Sequence, residues 1–316
     1  MSCAEPLLHR SYLYAPGNAP RVMAKALAAG ADAVILDLED AVAPAAKQQA
    51  RTEVAAVVRG WAQGGPTAGS LPAGPATGDA DRPGGTSPRQ PRCPDLHVRI
   101  NREGDGYLDA DLLAVVRPGL AALRLPKVES VEAVVEVGRR LDELEAEHDL
   151  APGTVRLYPT IESARGVVSL TALAAASPRI VRFAIGVADL LADLGAAGDD
   201  HLATLHVRSE LVLRSRVAEL GPPIDSVHTL LDDDTGLREG AARARALGFH
   251  GKSIIHPRQL DIVHDVFTPT AAARADAARI VAALEAADRD GEAALIVDGR
   301  FVDPAVAARA RAILSL

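Results

Sequence analysis

Two acidic residues each stand just past a short apolar run: Glu162 in LYPTIESARG and Asp189 in FAIGVADLLADLG. Carboxylates at the ends of separate buried strands offer hard oxygen donors and leave coordination positions open, which suits a catalytic Mg²⁺. Each acid adjoins a small-residue or Gly-containing helix start, whose N–H groups can receive a bound carboxylate. Ordinary helix capping is the other reading of both, since helix N-termini favour acids. No histidines cluster with them, so Mg²⁺, or Mn²⁺, is expected in preference to zinc.

Further charges lie at comparable places. In AVILDLED, strand alternation sends Asp37 and Glu39 to one face and Leu38 to the other. HVRIN likewise places His97, Arg99 and Asn101 together, and such groups are costly to bury unless paired or facing a ligand. The rigid fork of Arg99 suits a carboxylate or thioester oxygen, though it equally suits Asp37 or Glu39. Asp37, Glu39 and Asp40 face a matching choice between ligand contact and pairing with Arg21 or Arg51. Lys127 reads as a rim salt bridge more readily than as a Schiff-base amine. His228, His256 and Arg165 are weaker candidates.

These residues need a frame that gathers them. Strand candidates near 11–15, 33–38, 96–100, 122–126, 155–161, 181–186, 223–228 and 252–256 alternate with helical patterns such as 130–148, which Ser130 opens as a cap. Another helix start is the Asp232–Asp234 cluster. This order predicts a closed (β/α)₈ TIM barrel over residues 1–268, with an open doubly wound sheet as the other solution. Residues 64–95 are too rich in Gly, Pro and Ser to offset the entropy of ordering, and read as an insertion. Residues 269–316 carry helical patterns at 271–288 and 303–314 joined by a loop, expected as a helical arm or cap.

Composition narrows the function classes. A net charge of -8 with dispersed Arg and Lys argues against nucleic acid as a partner. No apolar run approaches the roughly 20 residues that cross a bilayer, and the N-terminus lacks a signal-like core, so a soluble cytoplasmic protein with no membrane partner is expected. Cys3 and Cys93 are too far apart in sequence to suggest a disulfide framework or a thiolate metal site. With only 3% aromatic residues, Ala, Val and Leu must supply most of the packing.

Taken in order, RSYLYAPGN with Arg21, LDLEDAV, HVRIN, RLPKVES, IESARGV, GVADLLADLG and GFHGKSIIHPRQL resemble the successive signatures of one enzyme group. They are similar to the citrate lyase beta-subunit-like, malyl-CoA and citramalyl-CoA lyase branch of the aldolase and citrate lyase superfamily. The resemblance covers nearly the whole chain apart from 64–95. It implies a Mg²⁺-dependent barrel, a homotrimer or hexamer, that cleaves or forms a C–C bond between a CoA thioester and a 2-oxo acid. By matching motif, Glu162 and Asp189 are the metal ligands and Arg99 the substrate-binding arginine. Asp37 joins Arg99 as a catalytic candidate, and Arg21, Lys47 and Glu39 fall on the substrate or CoA side.

The tail VDGRFVDPAVAARA resembles the segment in which an aspartate enters a neighbouring subunit's active site, making Asp303 the general acid or base. Arg300, Phe301 and Val302 depart from the lysine, methionine and isoleucine common there, and Asp303 ahead of Pro304 also fits a simple helix cap. Citrate lyase beta subunits usually end before this segment, so its presence favours a CoA-linked enzyme. A citryl-thioester lyase, an aldolase of free hydroxy-oxo acids and a non-catalytic thioester-binding protein stay open.

Overall fold

Seven short apolar segments run parallel as strands: β1 (Ser11–Pro16), β2 (Ala33–Asp37), β3 (Asp95–Arg99), β4 (Ala122–Leu125), β5 (Arg156–Ile161), β6 (Ala184–Ile185) and β7 (Lys252–Ile254). This computed structural model describes residues 8–63, 93–197, 200–289 and 294–316. Most of the expected insertion, residues 64–92, lies outside the described residues, as does Cys3. β2 is buried at every position, as a parallel strand covered on both faces must be.

The sheet has the order β6-β5-β4-β3-β2-β1-β7. It is an open, curled half-barrel whose edges stand 8 Å apart, and not the closed eight-stranded barrel expected from the repeat. The correction falls on the seventh candidate, 223–228. There Ile224 makes one bridge to Ala184 and Asp225 one to Lys252, with no ladder on either side. Pro222 and Pro223 lead into this segment and carry no N–H, so a ladder lacks donors where it would have to begin. The sixth candidate also shrinks, from 181–186 to two residues.

The helices in chain order are α1 (Pro20–Leu27), α2 (Lys47–Ala62), α3 (Leu108–Val115), α4 (Val131–Glu147), α5 (Ala164–Val168), α6 (Leu170–Ala174), α7 (Val187–Leu194), α8 (Asp200–Val217), α9 (Asp234–Leu247), α10 (Leu260–Phe267), α11 (Ala271–Arg289) and α12 (Pro304–Ser315). The expected start signals operate: Ser130 Oγ accepts the Ala133 N–H at 3.1 Å, and Asp233 accepts that of Gly236 at 2.9 Å. Such caps each contribute about 1 kcal/mol. Inside the curl, Tyr12, Ile35, Tyr158 and Ile224 pack with Ala33, Ala122 and Ala184. Two of the chain's few aromatic residues are thus spent on the interior.

The chain divides into two compact units, Met1–Val263 and His264–Leu316. In the second, Ile280, Leu284, Val302, Ala307 and Ala310 form a small core of their own. The segment expected there as a loop is a hairpin of β8 (Leu295–Val297) and β9 (Arg300–Val302). Asp298 and Gly299, at φ 50 and 76°, both adopt the left-handed conformation of a two-residue hairpin turn. No helix among the described residues is long and apolar enough to cross a membrane.

Candidate active site

Because the strands are parallel, their C-terminal ends share one end of the half-barrel, where α/β sheets bind ligands. A cavity of about 310 Å³ opens there, lined among others by Asp37, Arg99, Glu162, Gly186 and Asp189. Sequence reasoning named four of these five, from four separate segments.

Glu162 follows the last residue of β5 and is 6% exposed. Its Oε2 accepts the backbone N–H of Lys127 at 2.8 Å. Lys127 holds the left-handed conformation, φ 48°, which a non-glycine residue adopts only at a cost. Gly186, at the start of α7, is required from the other side: a Cβ there would lie 2.2 Å from Glu162 Oε1. The glycine of GVADL therefore makes room for the carboxylate. Burial pushes the Glu162 carboxyl up to about 7, helped by the charges of Glu39 and Asp189 and opposed by the Lys127 N–H and Arg99. Asp189 lies in the first turn of α7 with its side chain 48% exposed and Oδ1 3.9 Å from Lys127 Nζ.

Arg99 is held from behind. Its Nε and Nη2 donate to the two Asp37 oxygens at 2.8 and 2.6 Å, and Nη1 lies 2.8 Å from Glu39 Oε2. A guanidinium has about five N–H donors, so this clamp leaves some for a ligand. Asp37 is committed further, accepting the N–H groups of Glu39 at 2.9 Å and Ala41 at 3.2 Å. Tyr14, unremarked in the sequence, places its ring 5.1 Å from the Arg99 guanidinium and closes that wall of the cavity.

Lys127 Nζ donates to Glu39 Oε1 at 2.8 Å and to Asp40 at 3.1 Å. Burial opposes its charge, but Glu39 and Asp40 prevail and hold the ammonium well above its ordinary range. A Schiff base needs a neutral amine, so this lysine is a brace rather than a nucleophile. Burial in turn raises Glu39 despite Arg99 and Lys127.

Five carboxylates (Asp37, Glu39, Asp40, Glu162, Asp189) thus surround two cations, Arg99 and Lys127. The acid surplus and the raised Glu162 mark a place that lowers its energy by taking up positive charge. Among the described residues no three His, Cys, Asp or Glu side chains are grouped to hold a metal. Mg²⁺ can be bound through one or two carboxylates, with water and substrate completing its shell. The residues present fit such an ion, since the carboxylates of Glu162 and Asp189 line one cavity.

Other expected residues are placed differently. Lys47 is buried, its Nζ donating to Leu38 O, Glu39 O and Asn101 Oδ1 at 2.7, 2.8 and 2.6 Å, so all three donors are engaged within the chain. Arg51 pairs with Asp111 at 2.9 Å, and Arg21 is exposed in the first turn of α1. His228 lies 3.3 Å from Asp233, and His256 Nδ1 accepts the Arg258 N–H at 3.2 Å. Arg165 is exposed, 3.9 Å from Glu129 rather than beside Glu162. Asp303 caps α12, its Oδ1 accepting the Val306 N–H at 2.9 Å. Besides Tyr14, sequence reasoning missed Thr160, Ser226 and Ser253 in the cavity wall, where lone hydroxyls carry no spacing signature.

Comparison with known proteins extends this picture. The HpcH/HpaI aldolase/citrate lyase family matches residues 10–64 and 89–257. Citrate lyase subunit beta of Leuconostoc mesenteroides subsp. cremoris is 30% identical over 310 residues, covering 98% of this chain and 93% of its own. L-malyl-CoA/beta-methylmalyl-CoA lyase of Rhodobacter capsulatus is 30% identical over 331 residues, covering 97% and 94%. A solved structure of the protein CitE from Mycobacterium tuberculosis, in complex with magnesium, acetoacetate and coenzyme A, superposes with a TM-score of 0.71 at 29% identity and covers 98% of both chains. Because the Leuconostoc subunit aligns with nearly all of this chain, a tail of this length does not by itself separate a CoA-linked enzyme from a citrate lyase subunit.

Proposed function

The chain belongs to the HpcH/HpaI aldolase/citrate lyase family and is a Mg²⁺-dependent carbon–carbon lyase, and on that premise we propose that it cleaves, or in reverse forms, a 3-hydroxyacyl-CoA such as malyl-CoA or citramalyl-CoA. The products are an acyl-CoA and a 2-oxo acid. The observation that carries the reading is the cavity in which a surplus of carboxylates, Glu162 among them with its carboxyl at about 7, faces a clamped arginine. Relatives support it, one named for malyl-CoA cleavage and another holding magnesium, acetoacetate and coenzyme A.

Glu162 and Asp189 would hold Mg²⁺, which when bound supplies Lewis-acid polarisation of a substrate oxygen. The chain's own residues do the rest. Asp37 and Glu39 fix the Arg99 fork so that its remaining N–H groups are preorganised to donate to the developing oxyanion of the thioester enolate. Glu39 and Asp40 hold Lys127, whose backbone N–H orients Glu162. Tyr14 and the strand ends shield one side of the cavity from water. Asp303 is the proposed acid or base that exchanges the proton at the enolate carbon, supplied by a neighbouring copy in a homotrimer or dimer of trimers acting in the cytoplasm.

The test is a coupled assay of malyl-CoA, citramalyl-CoA, a citryl thioester and free hydroxy-oxo acids, each with and without Mg²⁺. Metal-dependent cleavage of the CoA thioesters is expected. Its absence, with turnover of free acids alone, overturns the thioester reading. Preference for the citryl thioester would select the second reading, which the Leuconostoc relative favours. Asp303→Asn keeps a good helix cap, so a loss of turnover with an unchanged melting point separates proton transfer from capping.

A further inference from the structure

Inside the curl of the sheet, apart from the residues that line the cavity, lies positive charge with no acid against it. Arg124, on β4, is fully buried, and no atom of the described residues accepts from its Nε, Nη1 or Nη2. Two rings flank its guanidinium at roughly a right angle, with the centroid of Tyr12 4.4 Å and that of Tyr158 4.7 Å away and the two centroids 6.2 Å apart. Its N–H groups radiate in the guanidinium plane, and the two rings offer them no oxygen acceptor.

The surroundings do not supply the missing charge. Arg182, also fully buried, donates only to neutral oxygens: Pro222 O and the Tyr12 hydroxyl at 2.6 Å each, His9 O at 3.4 Å, and His250 O. Neither arginine forms an ion pair with any described residue. His97 lies against Tyr158 with ring centroids 4.8 Å apart, and burial together with the Arg124 charge keeps it neutral. Two guanidinium charges in a low-dielectric interior with no acid are unfavourable as they stand. Buried water would satisfy N–H groups but leave the charge in place.

We propose that the interior of the half-barrel binds a small monovalent anion of the halide class at the N–H rim of Arg124. A halide is spherical and accepts from several donors at once, which matches a buried fork whose donors lack partners among the described residues. The site is independent of the lyase reading, since Arg124 does not line the catalytic cavity.

The test uses the intact protein in gluconate buffer, titrated with sodium bromide at constant ionic strength. The expected result is a saturable rise in melting temperature of about 3 °C or more, with bromine anomalous density within hydrogen-bond reach of Arg124 in crystals. Arg124→Met should abolish the rise and Arg124→Lys should keep part of it. Should Arg124→Met fail to fold, the wild-type titration and the anomalous map decide alone. Equal melting temperatures in bromide and gluconate, or water at the rim of Arg124, would overturn the proposal. A bromine peak without stabilisation marks an adventitious ion only, and overturns it as well.

Discussion

Two ionic networks in the first unit use the same residue types for opposite ends. At the gap between the sheet edges, Asp225 sits between Arg208 and Lys252, bonded to both, and Arg208 also donates to Thr204 Oγ1 at 3.0 Å. Burial works against the Asp225 charge, but the two cations prevail and hold its carboxyl below the usual range. At the cavity, the carboxylates Asp37, Glu39, Asp40, Glu162 and Asp189 outnumber Arg99 and Lys127, and Glu162 is pushed the other way. A network with enough positive charge is complete and fastens the fold. One with surplus negative charge has work left to do, and a divalent ion would complete it.

Removing the central acid of the complete network should have the largest effect. Asp225→Asn leaves two buried cations against a neutral amide and is expected to cost about 3–5 kcal/mol, read as a large fall in urea midpoint. The molecules that still fold should keep their Mg²⁺ affinity. Glu162→Gln should invert that pattern: Mg²⁺-dependent turnover falls by about 100-fold or more, while the metal-free melting point holds or rises because an unfavourable buried charge is gone. If Glu162→Gln unfolds the protein and leaves residual activity unchanged, the contrast between the networks is lost.

The pH dependence sharpens the same contrast. The Glu162 carboxyl is raised to about 7 from 4.5, so its protonated form favours the fold. The sign follows: the stabilisation is fully present below about 4.5, declines through the interval, and is lost as pH rises through about 7. Mg²⁺ competes with that proton, so its affinity should fall by up to about tenfold per pH unit below 7 and level off above it, as calorimetric titration can show. In Glu162→Gln this slope should vanish. Asp225, with its carboxyl lowered, should contribute stability above the ordinary carboxylate range and lose it only on acidification. The smallest effect belongs to Lys127→Met, about tenfold in kcat/KM, since it removes the Nζ brace on Glu39 and leaves the N–H that orients Glu162.

Much of the fold was legible because strand and helix periodicities are local. β1 to β5, α4 and the caps at Ser130 and Asp233 follow from apolar runs and start signals read within a few residues. The β8–β9 hairpin was equally legible in IVDGRF, where Asp-Gly between apolar pairs is a turn signal, yet it was read as loop. The closed barrel was a different kind of error. Eight apolar segments do not state whether the last pairings form, and a Pro-Pro lead left Ile224 and Asp225 with single bridges.

The site divides along the same line. Residue type and order made Glu162, Asp189, Arg99, Asp37 and Glu39 candidates, because acids and an arginine past apolar strands are costly to bury without a partner or a task, and the family resemblance gave them roles. Only the tertiary structure decided how those charges share one another: that Asp37 and Glu39 clamp Arg99, that Lys127 braces them, that Lys47 is spent inside the chain, and that Gly186 is glycine so that a carboxylate can occupy its Cβ position. Charge and hydrophobic period are written residue by residue. Partnership depends on distances between segments far apart in the chain, and those distances exist only once the sheet has curled.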